Sequence, residues 1–395
     1  MNVIVVLLKF PPDFTGAGVC IDRLYRKLKR KGLRRIYVIT TAENCRPGIE
    51  RREGIIVIRV ALNRYVQFQK GTIKKFKKTF FVLKAIVRSL CVFRRLSREA
   101  DLVHAIDSSW LSTAIGWAAF FFKKPLVKEI VLLDDDDPMA LKNGKPFFLR
   151  YFFLHSFHYA KLIITLSPPL MRSCIEYGLP DSKIWCRPSP MYFDNEHGSI
   201  DSLNIDSKLP TILWVGKLGP RKNVEFLLNA SFHLKGKAQL LFVGPFEDEN
   251  YFNSLKDIAA AAEKQKGTEL KIHFLGRIDN RSQLRQLYER SNLFWFSSHK
   301  EGLGNVVVES LLAGTPVVAL PIDGIMKYMI TDNADGEIME TQDPRQFAEV
   351  VNRCLYENSY DRSAIAERAK KRFDAAKIED QAMEHFRRIT GHIST

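Results

Sequence analysis

The chain has 395 residues, 46% hydrophobic and 26% charged, with a net charge of +16. That length is enough for two domains with sizeable cores, and the balance is ordinary for a soluble globular protein. No apolar run reaches the roughly 18 residues of a membrane-spanning helix, and six scattered cysteines lack metal-like spacing, so they read as reduced, buried thiols of a cytosolic protein.

The chain opens on Met1-Asn2-Val3-Ile4-Val5-Val6-Leu7-Leu8, too short and without a basic lead for a signal peptide. Val3–Leu8 has no period-two pattern, which predicts a parallel strand covered on both faces. A Pro- and Gly-rich turn over 11–18 precedes a helix over about 19–31. Further strands are expected at 36–40, 55–60, 102–105, 126–132, 162–166 and 183–187. Helices are expected at 72–98, 109–122, 146–159 and 168–177. Short strands alternating with helices imply a doubly wound parallel sheet. The polar stretch 194–202 reads as a linker. Thr211–Val215 opens a second strand-helix series that runs to about residue 370, and a last helix covers about 376–390. The expected division is 1–195, 196–372 and a terminal segment 373–395.

The charge is unevenly placed. Residues 1–195 hold 34 Lys/Arg against 16 Asp/Glu; residues 196–395 hold 26 against 28. Residues 64–98 carry eleven cations and no acid, interleaved with Tyr65, Phe68, Phe76, Phe80 and Phe81. Basic residues among aromatics suit an anionic membrane surface. Nucleic acid is the competing polyanion, but no DNA- or RNA-binding motif is visible.

The densest chemistry lies at 301–318. Strand 293–296 is followed by Glu301-Gly302-Leu303-Gly304-Asn305-Val306-Val307-Val308-Glu309, an apolar helix, and a strand from Pro316. Such a unit sets backbone N–H groups and a positive helix end beside the carboxyl ends of strands, where an anion would sit. Of Glu301 in the loop and Glu309, a turn into the helix, one can reach a sugar and the other a ribose, with a diphosphate between them on the amides. A second strand end, Gly216-Lys217-Leu218-Gly219-Pro220-Arg221-Lys222, supplies cations that can neutralise a diphosphate leaving group.

These segments resemble the retaining glycosyltransferases of family four. The Glu-x7-Glu pattern of Glu301 and Glu309 and the continuation Ala313-Gly314-Thr315-Pro316-Val317-Val318 match that family. Leu213 to Asn223 is similar to its Val-Gly-Arg-Leu-x-x-x-Lys-Gly segment, with Lys217 where Arg is usual; a Lys keeps the charge but not the fork geometry. Leu241–Gly244 and His273–Ile278 resemble its next two strand ends. The likeness is dense from 211 to 340 and thin before.

The resemblance implies a GT-B fold: α/β, two Rossmann-like doubly wound domains with a cleft between them, the last helix returning to the first. It assigns Glu301, Lys222 and Lys217 to catalysis. It assigns the nucleotide to Gly216, Arg277, Ile278, Gly304, Asn305, Val306 and Glu309, and donor phosphates to Gly16 in the loop Thr15-Gly16-Ala17-Gly18. That loop is not the dinucleotide fingerprint, because position 21 is Ile21. His104, Asp136 and Asp137 are acceptor candidates. Asp134-Asp135-Asp136-Asp137 contains a D-x-D pattern that suits a divalent metal, but no metal is expected where Lys cations already compensate the diphosphate.

The function so implied is retaining transfer of a sugar from a nucleoside diphosphate sugar to an acceptor, lipid-linked or a surface-polysaccharide precursor. No cofactor and no nucleic acid are expected, and the location is cytoplasmic, peripheral on the inner face of a membrane. Two alternatives share the scaffold: a sugar-nucleotide epimerase and a non-catalytic membrane-associated interaction protein.

Overall fold

Residues 1–13, 15–43, 45–61, 72–192, 199, 200, 203, 205–265, 268–322, 324–357 and 359–392 are described in the computed structural model. The chain forms two units, Met1–Pro190 with Ala375–Thr395, and Met191–Asp374. The linker expected at 194–202 lies largely outside the described residues, as do Arg64 and Lys70 of the basic segment.

In chain order the first unit contains β1 (Asn2–Val6), α1 (Gly16–Arg30), β2 (Arg35–Ala42), β3 (Gly48–Arg52), β4 (Ile55–Ala61), α2 (Thr72–Leu96), β5 (Leu102–Ile106) and α3 (Trp110–Phe121). It continues with β6 (Leu126–Ile130), α4 (Pro138–Gly144), α5 (Phe147–Tyr159), β7 (Leu162–Thr165), α6 (Pro168–Glu176) and β8 (Ile184–Cys186). The sheet order is β3-β4-β2-β1-β5-β6-β7-β8. All pairs are parallel except β3 with β4. Val3 to Val6 are fully buried because helices cover both faces. The sequence reading passes over β3, whose Gly-Ile-Glu-Arg-Arg shows neither an apolar run nor alternation. It is a short charged strand on the sheet edge, the composition that discourages edge-to-edge pairing.

The second unit contains β9 (Thr211–Val215), α7 (Val224–Ser231), β10 (Gly236–Val243), α8 (Glu249–Glu263), β11 (Thr268–Gly276), α9 (Arg281–Arg290), β12 (Leu293–Phe296) and α10 (Asn305–Leu312). Then follow β13 (Val317–Ala319), α11 (Ile325–Met329), α12 (Asp332–Asp335), β14 (Gly336–Ile338), α13 (Pro344–Tyr356) and α14 (Arg362–Arg372). Its sheet is parallel throughout in the order β11-β10-β9-β12-β13-β14. That is the doubly wound Rossmann order, with the direction of winding reversing between β9 and β12. The last helix, α15 (Ala375–Thr390), belongs to the first unit, whose core takes in its Ala382, Met383 and Phe386. The architecture is α/β with two Rossmann-like parallel sheets.

Candidate active site

In an open α/β sheet, ligands bind outside the carboxyl ends of the strands where the winding reverses. In the second unit that place lies between the loops leaving β9 and β12. Hydrogen bonds stitch the two loops together. His299 N donates to the Arg221 carbonyl at 3.0 Å, Arg221 Nη1 to the Lys300 carbonyl at 2.7 Å, and Ser297 Oγ to the Lys222 carbonyl at 2.9 Å.

Backbone conformation shapes the β9 loop. Gly216 N donates to Val243 O at 2.9 Å, and a Cβ on Gly244 would lie 1.7 Å from the Gly216 carbonyl. The two strand ends therefore touch through backbone alone, which only glycine allows. Beyond them Pro220–Lys222 form one 3-10 turn that ends on Asn223 at φ 51°, ψ 44°. Here Asn takes the position that the family-four pattern gives to Gly. Asn is the non-glycine residue that best tolerates the left-handed region, so the turn survives the exchange.

That turn delivers Lys222 to Glu301. The lysine Nζ donates to Glu301 Oε1, and Arg221 Nη1 lies 3.3 Å from the same oxygen. Burial opposes ionisation of Glu301. The charges of Lys222 and Arg221, with hydrogen bonds from Lys222 and Ser298, outweigh it and hold the carboxyl below the usual carboxylate range. Glu301 is thus a carboxylate with two cations beside it. Lys217 is not part of this group: its Nζ pairs with Glu247 at 3.3 Å, both half exposed. Arg221, not named among the site residues from the sequence, is the second cation beside Glu301.

The β12 loop ends at Gly304, whose φ of 92° makes the corner into α10; a Cβ there would press on the Phe296 ring at 3.3 Å. Asn305 and Val306 form the first turn of α10, where helix amides lack intrahelical partners. Glu309 is buried. Its Oε1 accepts from Arg281 Nη2 and its Oε2 accepts from Tyr288 OH at 3.0 Å. Burial, then the Glu309 charge, push the Tyr288 phenol well above its ordinary pKa, so it remains a donor. The spacing of Glu301 and Glu309 gave no hint of these two partners. Arg281, Leu284 and Tyr288 share one face of α9, and a cation and a phenol on an otherwise apolar stripe were the available signal.

Gly276, at φ 68°, closes β11 and accepts from Gly244 N at 2.8 Å. Arg277 follows it with Nε 2.7 Å from Asp279 Oδ1, and Ile278 is half buried. In the first unit Gly16 begins α1. Within the same loop Gly18 makes a close backbone approach, where a Cβ would lie 2.6 Å from the Lys9 carbonyl. Phe14 lies outside the described residues.

The acceptor candidates separate on inspection. His104 is a core residue, fully buried on β5. Its Nδ1 is 2.7 Å from Tyr25 OH, its Nε2 3.2 Å from Glu129, and its ring 6.0 Å from that of Phe386. No ligand reaches it, because α1 and α15 cover the strand end that looked open in sequence. Asp137 is likewise spent: it caps α4 at Ala140 N and also accepts from Asp134 N and Ser173 Oγ. Asp136 keeps more freedom. It accepts from Ser108 N at 3.0 Å, and burial, with the nearby Asp107 carboxylate, pushes it up to about 7. Among the described residues no three His, Cys, Asp or Glu side chains come together as a metal site.

Comparison with known proteins adds to this geometry. Residues 197–372 match the family described as glycosyl transferases group 1. The chain is 23% identical over 385 residues to a D-inositol 3-phosphate glycosyltransferase of Streptosporangium roseum, covering 90% of this chain and 83% of that one. It is 23% identical over 336 residues to N,N'-diacetylbacillosaminyl-diphospho-undecaprenol alpha-1,3-N-acetylgalactosaminyltransferase of Campylobacter jejuni, covering 78% and 84%. Among solved structures, Anabaena HepE in complex with UDP-glucose superposes with a TM-score of 0.72 at 18% identity, covering 98% and 99%. At that identity the likeness shows a shared fold.

Proposed function

We propose that this chain, a glycosyltransferase of the GT-B fold whose residues 197–372 match the group 1 glycosyl transferases, moves a sugar from a nucleoside diphosphate sugar to a lipid-linked acceptor with retention of configuration. The observation that carries this reading is a pair of buried carboxylates at the winding reversal of the second unit, Glu301 before α10 with Lys222 and Arg221 beside it and Glu309 within α10 with Arg281 beside it. The epimerase and non-catalytic readings gain nothing from the comparisons.

In this reading Glu309 accepts from ribose hydroxyls and Glu301 holds the transferred sugar. Lys222, Arg221 and the amides at the start of α10 meet the diphosphate. The bond from the anomeric carbon to the diphosphate oxygen breaks and its electron pair leaves on phosphate. An acceptor hydroxyl oxygen then bonds to the same face of the oxocarbenium-like carbon, and its proton passes to the departing phosphate oxygen. Cations aimed at the leaving group stabilise the charge as it develops, and the electrostatic gain is largest where water is excluded. No metal is needed for that compensation.

The lipid-linked acceptor is supported by the Campylobacter relative, whose name specifies a diphospho-undecaprenol substrate, and by the basic first unit. No described helix is long and apolar enough to cross a membrane, so attachment to the inner face would be peripheral. The test supplies a panel of nucleoside diphosphate sugars with and without a polyprenyl-diphosphate-sugar acceptor. Acceptor-dependent nucleotide release and an α-linked product from an α-linked donor are expected. An epimerised free sugar nucleotide, or an inverted product, would overturn the proposal.

A further inference from the structure

The first unit shows an apolar platform that its own fold leaves uncovered. On α2, Phe80, Leu83 and Val87 are more than half exposed and recur at i, i+3, i+7, so they form one stripe facing solvent. The buried face of the helix is carried by Ala85, Ser89 and Phe93 instead. A surface helix of a globular protein normally turns its polar side outward. On α3, Phe121 is 70% exposed; on α5, Phe147, Phe148 and Tyr151 are 84%, 76% and 70% exposed. The helices that carry these residues adjoin one another. Phe93 of α2 meets Phe122, which follows α3, with ring centroids 5.8 Å apart, and Trp117 of α3 lies 6.1 Å from Phe121 and 5.5 Å from Tyr151.

Charge decides what covers this platform. None of α2, α3 and α5 contains a single Asp or Glu, and α2 alone holds eight Lys/Arg. Lys84 and Arg88 stand exposed on the α2 stripe itself, and Lys123 is exposed just beyond the end of α3. A second copy of this chain seated here by a two-fold axis would face like charge with like. An anionic bilayer meets both features, the cations at headgroup level and the aromatic rings at the acyl boundary.

We infer that α2, α3 and the start of α5 form a membrane-insertion platform, with Phe121, Phe147, Phe148 and Tyr151 entering an anionic lipid surface and Lys84 and Arg88 contacting its headgroups. The inference deepens the peripheral-membrane reading above by moving the depth of contact from the basic segment to the aromatic helix ends.

The experiment is co-sedimentation of the full chain with phosphatidylcholine vesicles, with and without 30 mol% phosphatidylglycerol. Donor binding is followed by calorimetry in the same samples. Wild type pellets with anionic vesicles, and high salt weakens the binding. A Phe121→Ser/Phe147→Ser/Phe148→Ser variant loses at least tenfold in partitioning, while a Lys84→Glu/Arg88→Glu variant loses its preference for anionic lipid. Both bind donor like wild type, because the donor site lies in the other unit. Brominated phospholipid quenches tryptophan fluorescence, and Trp117→Phe removes most of the quench. Unchanged partitioning of the triple variant refutes the platform. So does a concentration-dependent dimer that the triple variant abolishes without any vesicle binding by wild type. Loss of donor binding in wild type itself strikes the glycosyltransferase reading and leaves the platform standing.

Discussion

Replacing Lys222 with Ala tests the core of the site. The lysine and Glu301 side chains are 14% and 11% exposed, so solvent screens their interaction little. Removal leaves Glu301 buried with Arg221 at 3.3 Å, a guanidinium nearly half exposed and correspondingly weaker. A charge-assisted contact is worth about 1.5–3 kcal/mol, which converts to a loss of about 10- to 150-fold in kcat/KM for donor turnover. A second effect follows from the pKa. Burial still favours the neutral acid, and with Lys222 gone the Glu301 carboxyl moves up from its depressed position, with Arg221 and Ser298 alone opposing burial. The acid limb of the pH–rate profile therefore shifts to higher pH. Stability follows the same sign. In wild type the depressed Glu301 contributes stability above its unfolded pKa and loses it as pH falls through the folded value; the variant loses that contribution at neutral pH as well. The assays are nucleotide release against pH, and urea unfolding at pH 7 and pH 4. A variant that unfolds at the wild-type midpoint, keeps wild-type kcat/KM and shows no shifted acid limb refutes the assignment of Lys222 and Glu301 to one functional pair.

Glu309→Ala is expected to weaken nucleotide binding at least tenfold by calorimetry, and Arg281→Ala to raise KM more than it lowers kcat, because Arg281 orients Glu309 without meeting the reacting carbon. Equal binding by both variants and wild type would falsify the ribose role. Turnover is expected to survive EDTA, with Lys222 and Arg221 compensating the diphosphate; loss on chelation restored by Mn²⁺ would point to Asp136 and its neighbours. Glu129→Gln removes the partner of buried Arg187, 2.7 Å away, and is expected to cost about 3–5 kcal/mol in urea unfolding. Gly244→Ala, with its Cβ on the Gly216 carbonyl, is expected to impair folding or donor binding, read by circular dichroism and calorimetry.

The parallel strands were legible because Val3–Val6, Leu162–Thr165 and Thr211–Val215 are β-branched, aliphatic or aromatic runs too short for helices and too continuous for one-sided sheets. β3 was not, since pairing with β4 rather than composition makes it a strand. In the site, Glu301, Glu309 and Lys222 were legible as motif positions relative to strand ends. Their partners were not. Arg281 and Tyr288 reach Glu309 only because α9 packs against α10, and Lys217 turns to Glu247 because the β9 loop runs alongside the one leaving β10. The opposite error occurred at His104: a strand-end histidine looks available until helices from residues 16–30 and 375–390 close over it.

The passage of α15 back into the first unit has a consequence for synthesis. A nascent chain releases Met191–Asp374 as one uninterrupted segment, so the second unit has all its residues before the first does. Residues 1–190 emerge earliest yet wait for Ala382, Met383 and Phe386 to complete their core. The usual amino-terminal-first order of domain completion is therefore inverted. During that delay the surface of α1 that α15 will cover stays open to chaperones. Truncation or a bulky tag just after Asp374 would leave the donor-binding unit whole while depriving the amino-terminal one of its closing helix.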